Sequence, residues 1–347
     1  QDSVIIMARS KILLLYTGGT IGMVKHPETG TLKAFNFDAI AEQIPELKLL
    51  DCGTECISFE TPIDSSDIDP SLWVTIVDMI ETNYASFDGF VILHGSDTMS
   101  YSAAALSFMC ENLSKPIIFT GSQLPIGDLR TDAKENLITS IQLAALKDKG
   151  KAIIQEVGLY FEYKLYRGNR TTKINAAHFE AFESLNYAPL AQSGVSLEVS
   201  RSLLLKPQKG KHTKFHKKMD HSVGVLKLFP GISPSFVRSV LFSEGLKAIV
   251  LETYGAGNAP TAAWFIAILS EAIKNGLIIV NVTQCSGGSV LMGHYEASKA
   301  LERIQLINGK DISTEAALAK LMYMLGSGVS KASFKTIFET SLRGEMQ

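Results

Sequence analysis

Cysteine is scarce in this chain, with four residues in 347: Cys52, Cys56, Cys110 and Cys285. Cys52 and Cys56 flank Gly-Thr-Glu, but no second pair stands at zinc-like spacing, so neither a metal centre nor a disulfide framework is implied. Excess charge is also lacking. Thirty-three basic residues meet 35 acidic ones for a net charge of −2, which leaves no electrostatic footprint for nucleic acid or an anionic membrane surface. No apolar run approaches the ~20 residues of a membrane span. The opening "QDSVIIMARSKILLLYTGG" is interrupted by Arg9 and Lys11 and does not follow the order of a signal peptide, so a cytoplasmic location is expected.

Several catalytic signatures are missing. No G-K-[ST] occurs, which excludes a P-loop, and no G-x-S-x-G, which removes the nucleophile elbow of α/β hydrolases. The glycine-rich loop T-G-G-T-I-G places Thr17 where a dinucleotide fingerprint needs its first glycine. The acid roughly 20 residues on, Asp38, looks like a helix start and not a strand end. A dinucleotide-binding oxidoreductase is thereby disfavoured.

What is present is an ordinary globular balance, 46% hydrophobic and 20% charged, in a length that exceeds the ~100–200 residues of one domain. Short apolar runs end abruptly in small polar residues: "KILLLYTGGT", "GFVILHGSDT", "KPIIFTGSQ", "AIIQEVGLYF", "LKAIVLETYGAGN" and "GLIIVNVTQCSGG". Such runs suit parallel strands covered on both faces. Helical patterns lie between them, as at 99–113 and 261–274, so the fold class expected is α/β with two domains and mainly parallel sheets. The stretch 206–221, "KPQKGKHTKFHKKMDH", carries six lysines and three histidines without apolar periodicity. It reads as a solvated basic linker over 206–222, between a larger catalytic domain at 1–205 and a smaller domain at 223–347.

Polar clusters fall at the carboxyl ends of these strands, where α/β sheets gather ligands. "YTGGTIGM" offers Thr17 and Thr20, and "HGSDTM" offers Ser96, Asp97 and Thr98. "TPIDSSD" offers Asp64, Ser65 and Ser66, which suit either an amino-acid substrate or the cap of a helix beginning near Trp73. "LYRGNRTTK" carries Thr172 and Lys173 in a polar loop. A hydroxyl nucleophile needs an activator. His94 is the histidine nearest Ser96 and equally suits a buried structural role; a lysine held beside a carboxylate is the other option. These residues alone point to a hydrolase or transferase using Thr or Ser.

Together the segments resemble the L-asparaginase family, and its cytosolic type I bacterial branch across nearly the whole chain. The resemblance rests on "YTGGTIGM", "TPIDSSD", "DGFVILHGSDTMSYSAAALSFMCENLSKPIIFTGSQLP", "LYRGNRTTK", "YGAGNAP" and "NVTQC" in this order. It implies Thr20 as the nucleophile toward the side-chain amide of L-asparagine, with weaker action on L-glutamine. Ser96, Asp97 and Lys173 would handle protons, and Asp64, Ser65, Ser66, Ser96, Asp97 and Asn258 would hold substrate. Thr17 would hold its loop. The resemblance further implies no cofactor and no metal, and a homodimer or homotetramer in which Asn258 completes a neighbour's site.

Three departures from the family pattern stand out. Ser96 replaces the usual threonine. No tyrosine occurs in "VKHPETGTLKAFNF", residues 24–37, where Thr31 and Phe35 lie nearest the expected place. In the effector site that resembles Thr172, Asn258 and Cys285, Glu252 stands where an arginine is usual. Glutamate would repel an effector carboxylate that arginine would clamp, so asparagine activation is expected to be weak or absent. Two relatives in function stay open: a non-catalytic asparagine sensor, and an amidotransferase subunit, whose extra N-terminal domain is unlike a first strand beginning at Lys11.

Overall fold

The computed structural model describes residues 9–25, 32–34, 44–293 and 296–347. These divide into two compact units, one reaching Ser184 and resuming from Ala188 to Phe215, the other comprising Leu185–Tyr187 and His216–Gln347.

The first unit is built on an eight-stranded sheet. Its strands are β1 (Ser10–Gly18), β2 (Cys52–Ile63), β3 (Gly89–Leu93), β4 (Ile117–Thr120), β5 (Val157–Phe161), β6 (Lys164–Arg167), β7 (Ala191–Ser193) and β8 (Leu197–Val199), in the order β8-β7-β6-β5-β4-β3-β1-β2. The five strands from β5 to β2 run parallel, and β6 to β8 extend the sheet antiparallel. Ile12–Tyr16 and Phe90–Leu93 are buried, as continuous apolar runs in a sheet covered on both faces should be. Edge strand β2 differs: "CGTECISFETPI" alternates partly buried with exposed positions and carries no continuous apolar run.

Helices α1 (Pro70–Asn83), α2 (Met99–Met109) and α3 (Ala133–Ala145) connect the strands. Proline at the first turn and Asp69 as N-cap, accepting from Ser71 N at 2.7 Å, start α1 three residues before Trp73. Its buried residues Trp73, Ile76, Val77 and Ile80 recur at the i, i+3, i+4, i+7 spacing of one helix face. Helix α2 is apolar or small nearly all round and buried accordingly.

The basic stretch divides between the units. Gln208 N donates to Asn112 Oδ1 at 2.6 Å, Asn112 Nδ2 donates to Lys211 O at 2.7 Å, and Lys214–Phe215 pairs with Cys110–Glu111. Backbone anchoring by one asparagine holds residues 208–215 to the first unit, which no apolar pattern signals.

The second unit carries a four-stranded parallel sheet in the order β9 (Val223–Lys227), β10 (Ala248–Thr253), β11 (Ile278–Thr283) and β12 (Ile307–Asn308). Helices α4 (Pro234–Leu241), α5 (Ala263–Lys274), α6 (Glu296–Arg303), α7 (Thr314–Gly326) and α8 (Lys331–Phe338) complete it. Leu226, Ile249, Leu251, Phe265 and Leu269 belong to one buried core cluster. Lys320 of α7 is fully buried. Its Nζ donates to Phe338 O at 2.7 Å, to Thr340 O at 2.8 Å and to the buried Glu345 carboxylate. Glu345 in turn accepts from Leu342 N at 2.9 Å and Arg343 N at 2.7 Å. Among the described residues no helix is long and apolar enough to cross a membrane.

Candidate active site

Strands β3, β1 and β2 are neighbours, and the loop after each carries one of the polar clusters. Thr20 opens a short 3-10 turn after β1. Gly18 at the end of β1 is in register with Ile63 at the end of β2, so Asp64–Ser66 lies next door. The loop after β3 comes closer still. A Cβ added to Gly95 would stand 2.5 Å from Ser65 Oγ, and one added to Gly19, whose φ is +87°, would stand 2.5 Å from the Gly95 Cα. Glycine alone permits these approaches. Thr98 Oγ1 adds a hydrogen bond to Ser65 O at 2.6 Å, and Thr17 Oγ1 donates to Leu93 O at 2.9 Å, holding the end of β1 to β3.

Lys173 reaches the β3 loop from a short ladder in which it pairs with Phe182 and Thr172 with Glu183. Its Nζ donates to Ser96 Oγ at 2.9 Å and to Asp97 Oδ1 at 2.6 Å. Residues 76 and 77 positions apart are thus joined in one cluster. The Lys173 side chain is 17% exposed and that of Asp97 67%, so the carboxylate faces outward while the ammonium sits beneath it. The segment leading to Lys173 begins at Arg167, whose Nε donates to Glu156 Oε2 at 2.6 Å in a buried ion pair.

Asp64 Oδ1 accepts from Ser66 N at 2.9 Å and Ser66 Oγ at 2.7 Å. Those two bonds, the backbone one first, hold its carboxyl below the usual range. Asp64 therefore caps the 3-10 turn at 65–67, while the separate Asp69 caps α1.

His94 is no base for a nucleophile. It is buried, with Nδ1 2.7 Å from Gly95 O and Nε2 2.8 Å from Ser102 Oγ. Burial pushes its pKa down to about 4. Motif reading also passed over Gln123, which accepts from Ser96 Oγ at 3.0 Å and donates to His178 O at 2.9 Å. The signal was available: "GSQLP" follows β4, the next strand beside β3, at the same carboxyl end.

In the second unit, Glu252, Asn258 and Cys285 gather at one end of β10 and β11. Asn258 closes a turn with Tyr254 through backbone bonds of 2.8 Å in both directions, and its buried Oδ1 has no partner among the described residues. Glu252 Oε1 accepts from Thr314 Oγ1 at 2.6 Å, and Oε2 lies 3.8 Å from Lys227 Nζ. Cys285 is exposed. Thr172 belongs to the first unit. Thr31, Phe35 and Asp38 lie outside the described residues. Among those described, no group of His, Cys, Asp and Glu is placed to hold a metal ion.

A two-unit α/β chain with hydroxyls, a carboxylate and a lysine converging on strand ends defines a class, and comparison assigns it. The chain belongs to the asparaginase family: the profile described as "Asparaginase, N-terminal" matches residues 11–204, and "Glutaminase/Asparaginase C-terminal domain" matches 222–338. It is 40% identical to L-asparaginase 1 of Escherichia coli (strain K12) over 343 residues, covering 98% of this chain and 99% of that protein. The crystal structure of L-asparaginase I from Vibrio cholerae O1 biovar eltor str. N16961 superposes with a TM-score of 0.89 at 40% identity, covering 98% of this chain and 100% of that one. The 60 kDa lysophospholipase of Mus musculus is also 40% identical over 97% of this chain, which spans 62% of that relative's length.

Proposed function

We propose that the protein hydrolyses L-asparagine to L-aspartate and ammonia, with weaker action on L-glutamine. The reading is carried by the Lys173–Ser96–Asp97 cluster, set at the strand end beside the Thr20 loop in a chain of the asparaginase family.

Thr20 Oγ attacks the side-chain amide carbon as its proton passes to the Ser96, Asp97 and Lys173 set. The C–N bond breaks, ammonia leaves with that proton, and an aspartyl ester remains on Thr20. Water, activated by the same set, cleaves the ester and restores the hydroxyl. Lys173 Nζ donates to both Ser96 Oγ and Asp97 Oδ1, so the three groups form one hydrogen-bonded set. Asp64, Ser65, Ser66 and Asp97 hold the α-amino and α-carboxylate groups. Backbone N–H groups near Ser96 stabilise the oxygen that gains charge.

Asn258 completes a neighbouring subunit's site in a homodimer or homotetramer of a cytoplasmic enzyme. Membership of the asparaginase family supports this. The catalytic reading is tested by ammonia release from L-asparagine, with Thr20→Ala as control. Turnover that disappears in the variant is expected; equal turnover in both proteins would sink the assignment of the nucleophile.

A further inference from the structure

Behind the Gly95–Asp97 loop runs a chain of buried groups whose proton positions are dictated by chemistry. The indole of Trp73, on α1, can only donate, and it does so to Ser102 Oγ of α2 at 2.9 Å. The Ser102 hydroxyl proton is left for its other neighbour, His94 Nε2, at 2.8 Å. Across the ring, His94 Nδ1 stands 2.7 Å from Gly95 O, which can only accept. The imidazole is thereby held as the Nδ1–H tautomer, since the other would set two lone pairs face to face. All three side chains are buried, and burial keeps the ring neutral down to a pKa of about 4.

Pinning Gly95 O has a consequence one bond further on. The described chain contains no cis peptide bond, so the Ser96 N–H points opposite to the Gly95 carbonyl and away from the imidazole. No protein group accepts from that N–H among the described residues. Gly19 packs on the preceding His94–Gly95 peptide, where its added Cβ would stand 2.5 Å from Gly95 N.

We propose that Trp73, Ser102 and His94 are positioning residues, whose relay aims the Ser96 N–H at the substrate oxygen on which negative charge develops. This rests on the amide-hydrolysis reading above. None of the three exchanges a proton with substrate; they set the direction of a donor, which matters most when the oxygen is charged.

Ser102→Ala removes both the acceptor for Trp73 and the donor to His94. For L-asparagine, kcat is expected to fall about tenfold or more while KM stays within about threefold. Ser102→Thr, which keeps the hydroxyl, should recover much of the loss, and Trp73→Phe should show a smaller fall of the same kind. Nitrogen-15 spectra should report His94 as Nδ1–H in the wild type, with a shifted Nε2 resonance in Ser102→Ala, where that acceptor loses its donor. Wild-type kcat in Ser102→Ala, or equal falls in the Ala and Thr variants, would overturn the relay. If Ser102→Ala does not fold, Trp73→Phe decides, and an unchanged kcat with an unchanged His94 spectrum overturns it. Absence of ammonia release from the wild type would strike the amide-hydrolysis reading and the relay's catalytic role with it, whereas Nε2–H at His94 in an active wild type would sink the relay alone.

Discussion

Gly95 and Ser65 belong to loops on strands two places apart in the sheet, yet a Cβ on Gly95 would stand 2.5 Å from Ser65 Oγ and 2.7 Å from its Cβ. The φ of Gly95 is not positive, so the obstacle is steric and resides in one named side chain. Gly95→Ala is expected to lower the melting temperature, and Ser65→Gly added to it should restore most of the loss. Strict additivity in that double-mutant cycle would show that the two loops do not press on each other.

Ser96 should be replaceable by Thr and not by Ala. Its hydroxyl accepts a hydrogen bond from Lys173 and donates one to Gln123. Ser96→Ala is expected to reduce kcat for L-asparagine by about a hundredfold, the usual scale for a lost proton-handling group. Ser96→Thr retains the oxygen and restricts its rotamers, and should keep most of the activity. A fully active Ala variant would remove Ser96 from the proton-handling set.

The substrate curve should be hyperbolic. Glu252 presents a carboxylate already engaged by Thr314 and near Lys227, and it would repel an effector's carboxylate. Initial rates over a wide range of L-asparagine concentration check this, and a sigmoidal curve would show that an effector binds in spite of Glu252.

Acid should destabilise the first unit through His94. Its pKa is lowered by burial from 6.5 to about 4, so between those values the unfolded chain binds more protons. Stability is complete above about pH 6.5 and declines as pH falls toward 4, by at most about 3 kcal/mol. Denaturant midpoints measured at pH 7 and pH 4.5 should differ less in His94→Gln than in the wild type. An equal difference would assign the acid sensitivity elsewhere.

Arg167 and Glu156 form a pair whose side chains are 4% and 3% exposed. Arg167 also donates to Leu203 O at 2.7 Å, and Glu156 accepts from Leu205 N at 2.7 Å. Arg167→Met strands a buried carboxylate and should cost about 3–5 kcal/mol in denaturant unfolding. A loss below about 1 kcal/mol would show that water reaches Glu156.

The parts legible in the sequence are those whose cause is local. β1, β3, β4, β10 and β11 each carry an apolar run because both faces of their sheets are covered, and each corresponds to a run read as a strand. β2 escaped because an edge strand with one exposed face carries alternation instead of a run. The Thr20, Asp64–Ser66 and Ser96–Asp97 loops could be named from their strand ends. That Lys173 meets Ser96 depends on the antiparallel turn of β6 and the ladder after it, which spacing does not encode. Gln123 and the division of the basic stretch rest on single side-chain bonds, and those leave no periodic trace.

Lys320 meets its counter-ion 25 positions later, at Glu345, in direct contact and with both side chains fully buried. Synthesis proceeds from the N-terminus, so the core of the second unit receives a cation well before the anion that belongs to it. The apolar layer around Lys320 therefore cannot close in its final form until residue 345 has been made. Completion of this unit is tied to the order in which the chain is synthesised.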